Sequence, residues 1–211
     1  MKTMYEANPV VFVVDDDPVV SVSMKRLIGS VGLQVQTFGS AQDFLRAKLP
    51  DAPGCLVLDV RLPDLSGLDL QQELARAHVD LPVIFVTGHA DIHMSVQAMK
   101  AGAVEFLTKP FREQELLEAI QHAISQHRAI RERHAAVAEL FERFDSLTPR
   151  EREVFPLVAR GMLNKQIADH LGASEKTIKI HRGQLMRKMQ AESLADLVRM
   201  SEKLKLISPK S

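Results

Sequence analysis

Several residues that could carry out metal or phosphate chemistry stand directly after short apolar runs of the sequence. Asp15 and Asp16 follow one such run and Asp59 follows another, whereas Thr87 ends a third and Lys109 comes just after a fourth. If these runs are parallel strands, their carboxyl ends meet at one edge of the sheet, where ligands bind in open α/β folds. The sequence therefore predicts a site in which three carboxylates, a hydroxyl and an ammonium lie close together.

This set of groups is suited to the transfer of a phosphoryl group onto a carboxylate. Three carboxylates repel one another unless a cation neutralises them, and ligands that are all oxygen favour Mg²⁺. The reaction needs an acceptor carboxylate, a metal, a hydroxyl donor and a cation on the phosphoryl oxygens, and the five residues supply these roles. A cis Lys109–Pro110 bond would point the lysine inward. The nearby acids Asp17 and Asp64 are interpreted as helix caps.

Strand-like runs alternate with segments of helical periodicity over the first 125 residues. Several runs are nearly continuous in Val and Ile, which is typical of parallel strands buried on both faces. Gly or Pro marks most of the junctions. The alternation predicts an α/β fold, a (βα)5 doubly wound domain around a parallel sheet. The predicted strands are 10–14, 34–38, 55–58, 82–87 and 104–107, and the predicted helices are 20–31, 41–49, 67–77, 92–100 and 113–124.

Residues 112–144 contain neither Gly nor Pro and predict a helix that leaves the first domain. Along it, residues recur at alternating intervals of three and four, which is a heptad pattern. This heptad stripe consists of Ile120, Ala123, His127, Ile130, His134, Val137, Phe141 and Phe144. It has two interpretations: a helix that lies partly in solvent between two domains, or a coiled linker through which two chains dimerise.

From residue 146 the pattern changes to four short helices, for which Thr148, Asn164, Ser174 and Ser193 are the predicted caps. This region carries 13 Lys and Arg against 7 Asp and Glu, and a basic excess is compatible with nucleic-acid binding. The tight turn between the second and third helices predicts a helix-turn-helix, whose second helix enters the major groove of DNA. The residues predicted to contact DNA are Lys165, Lys176, Thr177, Lys179, Arg182, Arg187 and Lys188.

The composition of the 211 residues, 45% hydrophobic and 26% charged, excludes a wholly disordered or collagen-like chain. No apolar run approaches the roughly 20 residues of a membrane helix, and the first one is too short for a secretory signal. The single cysteine excludes a disulfide framework and favours a reducing cytoplasm.

The two halves of the chain carry opposite net charges. Residues 1–125 carry 10 basic and 16 acidic residues, and residues 126–211 carry 17 basic and 11 acidic residues. These opposite charges predict two domains with different partners.

The motifs around the acidic residues resemble those of the receiver domain of two-component response regulators. They are Val13-Val14-Asp15-Asp16-Asp17, Leu58-Asp59-Val60-Arg61-Leu62-Pro63-Asp64-Leu65-Ser66-Gly67, Val86-Thr87-Gly88 and Lys109-Pro110-Phe111. The resemblance covers about residues 8–125 and implies that Asp59 is the phosphoacceptor. It further implies that Mg²⁺, or Mn²⁺, binds to Asp16, Asp59 and the backbone carbonyl of Arg61, with Asp15 acting through water.

The same resemblance implies a conformational switch. Thr87 and Phe106 occupy the positions of its hydroxyl and aromatic residues. Phe106 is equally explained as a core residue of the fifth strand.

About residues 146–205 are similar to the LuxR-type four-helix DNA-binding domain. The matching residues are Leu147–Val154, Gly161, Asn164–Ala168, Leu171-Gly172, Ser174, Thr177–Lys179, His181-Arg182 and Lys188-Met189. Gly183 departs from the pattern, because it lies one turn beyond Lys179, where some relatives carry a base-reading side chain. His181 is interpreted as a core or phosphate-facing residue, since it lies beside Leu185 on the apolar face.

The combination of the two resemblances points to the NarL/FixJ family of response regulators and favours the FixJ branch. It implies a receiver at 1–125, a linker helix at 126–145 and a DNA-binding domain at 146–211. The implied function is that of a cytoplasmic transcription regulator, not an enzyme, that a sensor histidine kinase phosphorylates. It would bind promoter DNA as a homodimer, with RNA polymerase as a further partner and no membrane partner.

Two other functions fit part of the pattern. The first apolar run with Asp15-Asp16-Asp17 also resembles the nucleophile motif of haloacid-dehalogenase-type phosphatases. That function would leave Asp59 unexplained, and no acidic pair ends a later strand to hold the metal. The second alternative is a phosphate-sink regulator that does not bind DNA, and the cationic face of the third short helix argues against it.

Overall fold

The computed structural model describes residues 8–88 and 92–207, and the chain divides into two compact units, Met1–Arg131 and Glu132–Ser211. The outer limits of the two predicted domains, residues 1 and 211, lie outside the described residues. The strands are β1 (Val10–Val14), β2 (Gln34–Phe38), β3 (Gly54–Leu58), β4 (Val83–Thr87) and β5 (Glu105–Thr108). The helices are α1 (Pro18–Ser30), α2 (Ala41–Arg46), α3 (Gly67–Arg76), α4 (Ile92–Lys100), α5 (Glu113–Asp145), α6 (Pro149–Ala159), α7 (Asn164–Leu171), α8 (Glu175–Met189) and α9 (Leu194–Ile207).

The first unit is built on a parallel sheet with the strand order β2-β1-β3-β4-β5. Every residue of the three inner strands is buried, whereas every residue of the edge strands β2 and β5 is partly or fully exposed. The predicted α/β architecture is therefore confirmed. Because the strand order reverses between β1 and β3, the crevice between their carboxyl ends is where a ligand site is expected.

Each face of the sheet has its own hydrophobic core. One core joins Phe12, Leu58 and Phe85 of the strands to Phe44 of α2 and Leu70 of α3. The opposite core joins inner-strand residues to α1 and α5 and includes Ile28, Cys55, Ile84, Leu116 and Ile120. Burial raises the pKa of the Cys55 thiol to about 12, so this cysteine acts as an apolar core residue rather than as a nucleophile.

Some element boundaries differ from the sequence prediction. Helix α2 ends at Arg46 instead of continuing to residue 49, because the backbone of Ala47 is extended. Residue 49 precedes Pro50, and a residue before proline is disfavoured in the helical conformation. Helix α1 begins at Pro18, two residues earlier than predicted, since proline is well suited to the first turn. Strand β5 is shifted by one residue, from 104–107 to Glu105–Thr108.

The predicted linker, residues 126–145, lies within α5, and the division between the two units falls inside this helix. Within the first unit, His127 Nδ1 accepts a hydrogen bond from the amide of Gly54 at 2.9 Å, and Arg131 pairs with Asp51 at 2.5 Å. On the other side, Phe141 and Phe144 pack against the core of the second unit. At both its ends, the heptad stripe therefore packs within the chain's own two units.

The second unit is a four-helix domain preceded by the end of α5. Two of its helices start at side-chain caps: Thr148 forms a capping box with Glu151 before α6, and Ser174, before α8, accepts a hydrogen bond from the amide of Thr177. Its core contains Val154, Ile167, Ile178, Leu185 and Met189. None of the helices within residues 8–88 and 92–207 has the length and apolar composition needed to span a membrane.

Candidate functional site

The predicted acidic residues meet at the carboxyl ends of β1 and β3. Asp15 and Asp59 are buried, whereas Asp16 is exposed at the rim of the site. Each of the three offers a carboxylate oxygen, and these oxygens lie within 4.8 Å of one another. The strand-end rule thus brings together the acids that the sequence predicted would converge.

Lys109 bridges the two buried acids. Its Nζ donates hydrogen bonds to Asp15 Oδ2 at 2.6 Å and to Asp59 Oδ2 at 2.8 Å. Burial raises the pKa of Asp15, and the hydrogen bonds from Lys109 and the Asp17 amide offset this only in part. Burial by itself would lower the pKa of Lys109, but its bonds to the two carboxylates outweigh that effect and the pKa is raised. The lysine is therefore held in its cationic form. The Lys109–Pro110 bond is cis, as predicted.

Backbone groups orient the carboxylates. The amide of Asp17 donates to Asp15 Oδ1 and the amide of Arg61 donates to Asp59 Oδ1, both at 3.0 Å. The side chain of Asp17 caps α1, which confirms the interpretation of this acid as a helix cap. Asp64 also acts as a cap, but for α2, since it accepts hydrogen bonds from the first amides of that helix.

Gly67 is a positioning residue that the sequence reading did not single out. A Cβ atom at Gly67 would collide with the backbone carbonyl of Asp59, while its amide donates to Val60 at 2.9 Å. Glycine therefore allows the start of α3 to press against the strand end that carries Asp59. The sequence signals for this role are its place at the end of the motif that begins at Leu58 and its position at the start of a helix.

The donor set suits a hard divalent cation. Three carboxylates stand against one ammonium, so the local charge remains negative by two. All the side-chain ligands are oxygens, which Mg²⁺ and Mn²⁺ prefer, and the exposed position of Asp16 leaves room for the waters that Mg²⁺ retains. The arrangement fits the cation that the sequence predicted.

The two residues of the predicted switch lie on adjacent strands. Thr87 ends β4 and is 1% exposed, and Phe106 on β5 is partly buried. The Phe106 ring packs against Phe85, with ring centroids 6.1 Å apart. Phe106 therefore contacts the core and the solvent at once.

In the second unit, α7 and α8 form the predicted helix-turn-helix, joined through Gly172 at φ 61°. Four of the predicted DNA contacts on α8 are exposed, and they are Lys176, Thr177, Lys179 and Arg187. Lys165 is exposed on α7. Arg182 is partly buried and donates to Asn164 at 3.2 Å.

Two details differ from the sequence interpretation, and a third concerns His181. Asn164 is not a cap: it is the first residue of α7, and the Gln166 side chain accepts the hydrogen bond from the Leu163 amide instead. Lys188 is only partly exposed, and its ammonium lies 2.6 Å from the buried Glu151 carboxylate instead of extending freely toward a phosphate. His181 is partly buried, and its Nδ1 has no hydrogen-bond partner among the described residues.

Comparison with known proteins gives the same division of the chain. Residues 11–121 match the response regulator receiver domain, and residues 145–201 match the LuxR family of bacterial regulatory proteins. The chain is 56% identical to Nodulation protein W of Bradyrhizobium diazoefficiens, over 96% of this chain and 89% of that protein. It is 39% identical to the transcriptional regulatory protein FixJ of the same organism, over 90% and 93%. The solved structure of the response regulator StyR is 47% identical, with a TM-score of 0.85 over 93% of this chain and 100% of that one.

These matches and the fold define the class: the chain belongs to the response regulators that join a receiver domain to a LuxR-type DNA-binding domain, the NarL/FixJ family. It is a DNA-binding transcription regulator of a two-component system.

Proposed function

We propose that a sensor histidine kinase transfers a phosphoryl group to Asp59. The observation that carries this proposal is the bridge from Lys109 to Asp59 and Asp15, which places a cation beside the acceptor carboxylate. An oxygen of Asp59 attacks phosphorus, the bond from phosphorus to the kinase imidazole breaks, and an acyl phosphate forms. Lys109 then compensates the charge on the phosphoryl oxygens and Thr87 donates to one of them.

Mg²⁺, or Mn²⁺, is the proposed cofactor. Asp16, Asp59 and the backbone carbonyl of Arg61 would hold it directly and Asp15 would act through water. When bound, the cation screens the negative charge of the incoming phosphoryl group. The closeness of the three carboxylates supports this assignment.

Asp16→Ala is expected to abolish Mg²⁺ binding. Asp16 is exposed, so the substitution leaves the core intact, but the proposed site has too few protein ligands to lose one. Titration calorimetry with MgCl2 should show no binding heat for Asp16→Ala. The control Asp43→Ala removes an exposed carboxylate of α2 and should bind like the wild type. Wild-type affinity in Asp16→Ala would exclude Asp16 as a ligand.

The proposed DNA interface is the solvent-facing side of α8. Lys165, which is exposed on α7, is proposed as an additional contact. Lys176, Thr177 and Lys179 are assigned to the groove, and Arg187 to phosphate. Arg182, which donates one hydrogen bond to Asn164, is retained as a proposed contact. Lys188 is not retained, because its ammonium is paired with the Glu151 carboxylate. A salt-dependent gel shift separates this function from a phosphate sink, which would not bind DNA.

Lys179→Ala is expected to weaken binding to the specific site more than binding to unrelated DNA. A good base contact contributes roughly 1–3 kcal/mol, and unrelated DNA lacks it. Arg187→Ala should instead weaken both kinds of binding about equally and lower the slope of log K against log salt by about 1. Competition gel shifts at several salt concentrations measure both effects, and equal losses of specificity in the two variants would contradict the assignment.

Phosphorylation is proposed to create a dimer through the face formed by α4, β5 and α5. Thr87 moves toward the phosphoryl group and Phe106 fills the space that it leaves. An exposed apolar stripe on α4 supports this face: Ile92 is 81% exposed, and Val96 and Met99 are each 45% exposed. Their spacing of four and three places them on one side of the helix. The heptad stripe is not needed for this proposal.

The phosphorylated chain is expected to sediment as a dimer and the unphosphorylated chain as a monomer. A change in population from 1:99 to 99:1 requires about 5.5 kcal/mol of differential free energy. Val96→Asp should remain monomeric after treatment with acetyl phosphate. The matched control Val19→Asp changes an exposed valine of α1 and should still dimerise. An unchanged mass of the phosphorylated wild type would overturn the dimer.

The remaining partners follow from this scheme. The chain would act in the cytoplasm, where the kinase domain and promoter DNA are both available, and RNA polymerase would be contacted at the promoter. As a phosphoacceptor and DNA-binding regulator it requires no enzymatic activity toward a small-molecule substrate.

A further inference from the structure

The C-terminal ends of α5 and α8 are joined by two hydrogen bonds that run in opposite directions. Nη1 of Arg143, on α5, donates to the carbonyl of Met189, the last residue of α8, at 3.4 Å. Nζ of Lys188, on α8, donates to the carbonyl of Ser146, the residue that follows α5, at 3.1 Å. Together the two bonds form a clamp in which each helix supplies a cation to the end of the other, where the helix dipole is negative.

The carbonyl of Met189 requires a donor from outside α8. Met189 is 0% exposed, and a carbonyl at the end of a helix has no amide one turn further along that helix to bind. The turn after α8 serves earlier carbonyls, since the amide of Gln190 donates to those of Met186 and Arg187. Arg143 supplies the Met189 carbonyl with a donor from another helix.

Arg143 acts within the protein rather than on DNA. Its side chain is 23% exposed and its Nε is buried, while its Nη2 pairs with Glu139 of α5 at 2.6 Å. The guanidinium is therefore engaged between α5 and α8, whereas Lys176 and Lys179 are exposed on the proposed DNA interface.

The end of α8 influences where its base-facing residues lie. Lys179 and Lys176 precede Met189 by 10 and 13 residues, which is about 15 and 20 Å along the helix. A tilt of about 5° at the clamp would shift them by about 1–2 Å, which is enough to break a hydrogen bond to a base edge. The attraction between lysines and phosphates depends only weakly on such a shift, because it is electrostatic and independent of sequence.

We propose that Arg143 is a positioning residue for DNA recognition. Bound to the last carbonyl of α8, it fixes the angle of that helix and so aligns Lys176 and Lys179 with base edges. This inference rests on the proposed DNA interface on α8. It assigns part of the sequence specificity to a residue of α5 that contacts no DNA.

The test uses the full chain treated with acetyl phosphate, a DNA site selected from a random pool by the wild type, and an unrelated duplex of the same length. Arg143→Met should weaken binding to the selected site about tenfold, as the loss of one base contact would, while affinity for the unrelated duplex stays nearly unchanged. The slope of log K against log salt should also stay unchanged, because no phosphate contact is lost.

Three further variants complete this experiment. Arg143→Gln, which stays polar but is too short to reach the carbonyl, should show the same loss and serves as the second variant if Arg143→Met folds poorly. Arg143→Lys keeps a cation that can reach the carbonyl and should recover most of the discrimination. Arg133→Met removes an exposed arginine of the same helix and should keep the wild-type ratio of specific to unrelated affinity.

The ratio of the two affinities separates positioning from other roles of Arg143. A merely structural role would lower the folded fraction and weaken both kinds of binding equally, and a direct phosphate contact would lower the salt slope by about 1. Either result, or a wild-type ratio in Arg143→Met and Arg143→Gln, would overturn the proposal. Lys179→Ala separates the two levels of the inference. If it loses specificity and the Arg143 variants do not, the positioning role alone is wrong; if none of them does, the α8 interface is wrong as well.

Discussion

Asp59→Asn is expected to abolish phosphoryl uptake from acetyl phosphate while the receiver stays folded. The substitution keeps the volume of the side chain and an oxygen that can still accept from Lys109 or from the Arg61 amide. It also removes one of three carboxylates that repel one another, so the stability of the receiver should be unchanged or higher. The amide is not a nucleophile toward phosphorus, and therefore no acyl phosphate can form. Intact-mass spectrometry after incubation measures the uptake.

The control for this experiment is Asp64→Asn. It makes the same chemical change five residues away, at an exposed carboxylate that caps α2 and does not face Lys109. We expect full uptake in this variant. Labelling of Asp59→Asn at the wild-type level would mean that another carboxylate, such as Asp15 in the phosphatase-like alternative, accepts the phosphoryl group.

Lys188→Met is expected to destabilise the second unit by about 3 kcal/mol. Glu151 is 1% exposed and its Oε2 accepts from Lys188 Nζ at 2.6 Å and from the Thr148 amide at 2.8 Å. Removal of one partner from a buried pair typically costs about 3–5 kcal/mol, and the partial exposure of Lys188 favours the lower value. Hydrogen exchange during urea unfolding measures this for peptides of the second unit separately from the receiver. Lys203→Met, at an exposed lysine of α9, should have little effect.

The ion pair also predicts an acid sensitivity. Burial alone would raise the pKa of Glu151, but the hydrogen bonds from Lys188 and Thr148 outweigh it and the pKa is lowered. Its contribution to stability is therefore complete above the ordinary glutamate pKa of about 4.3 and is lost as pH falls through the folded value. Glu151→Gln with Lys188→Met should recover much of the single-variant loss and remove this pH dependence. A double variant as unstable as Lys188→Met would show that the lysine stabilises the domain by packing.

The parts of the molecule that were predictable are those that local patterns determine. The inner strands are buried on both faces and so appear as continuous apolar runs, and Asp15, Asp59 and Lys109 follow from the rule that strand ends converge. Capping by Thr148 and Ser174 was also predictable, because each capping side chain and the backbone amide that it binds lie within four residues of sequence.

The unpredicted features depend on contacts between distant parts of the chain. Glu151 and Lys188 are separated by 37 residues, so no local pattern in the sequence connects the glutamate to the lysine. The role of Gly67 depends on the approach of a backbone carbonyl, which no residue pattern encodes. Edge strand β5 was misplaced by one residue because half-exposed strands lack the continuous apolar signal of inner strands.

The contacts of α5 with the start of β3 bear on how this receiver can be recombined with other output domains. His127 binds Gly54 and Arg131 binds Asp51, so contacts with the start of β3 and the segment before it extend to a residue ten positions beyond the matched receiver domain. A chimaera joined at residue 125 would discard both contacts and expose the beginning of a central strand. The exchangeable module therefore ends after Arg131, inside a helix, and a functional chimaera has to continue that helix without interruption.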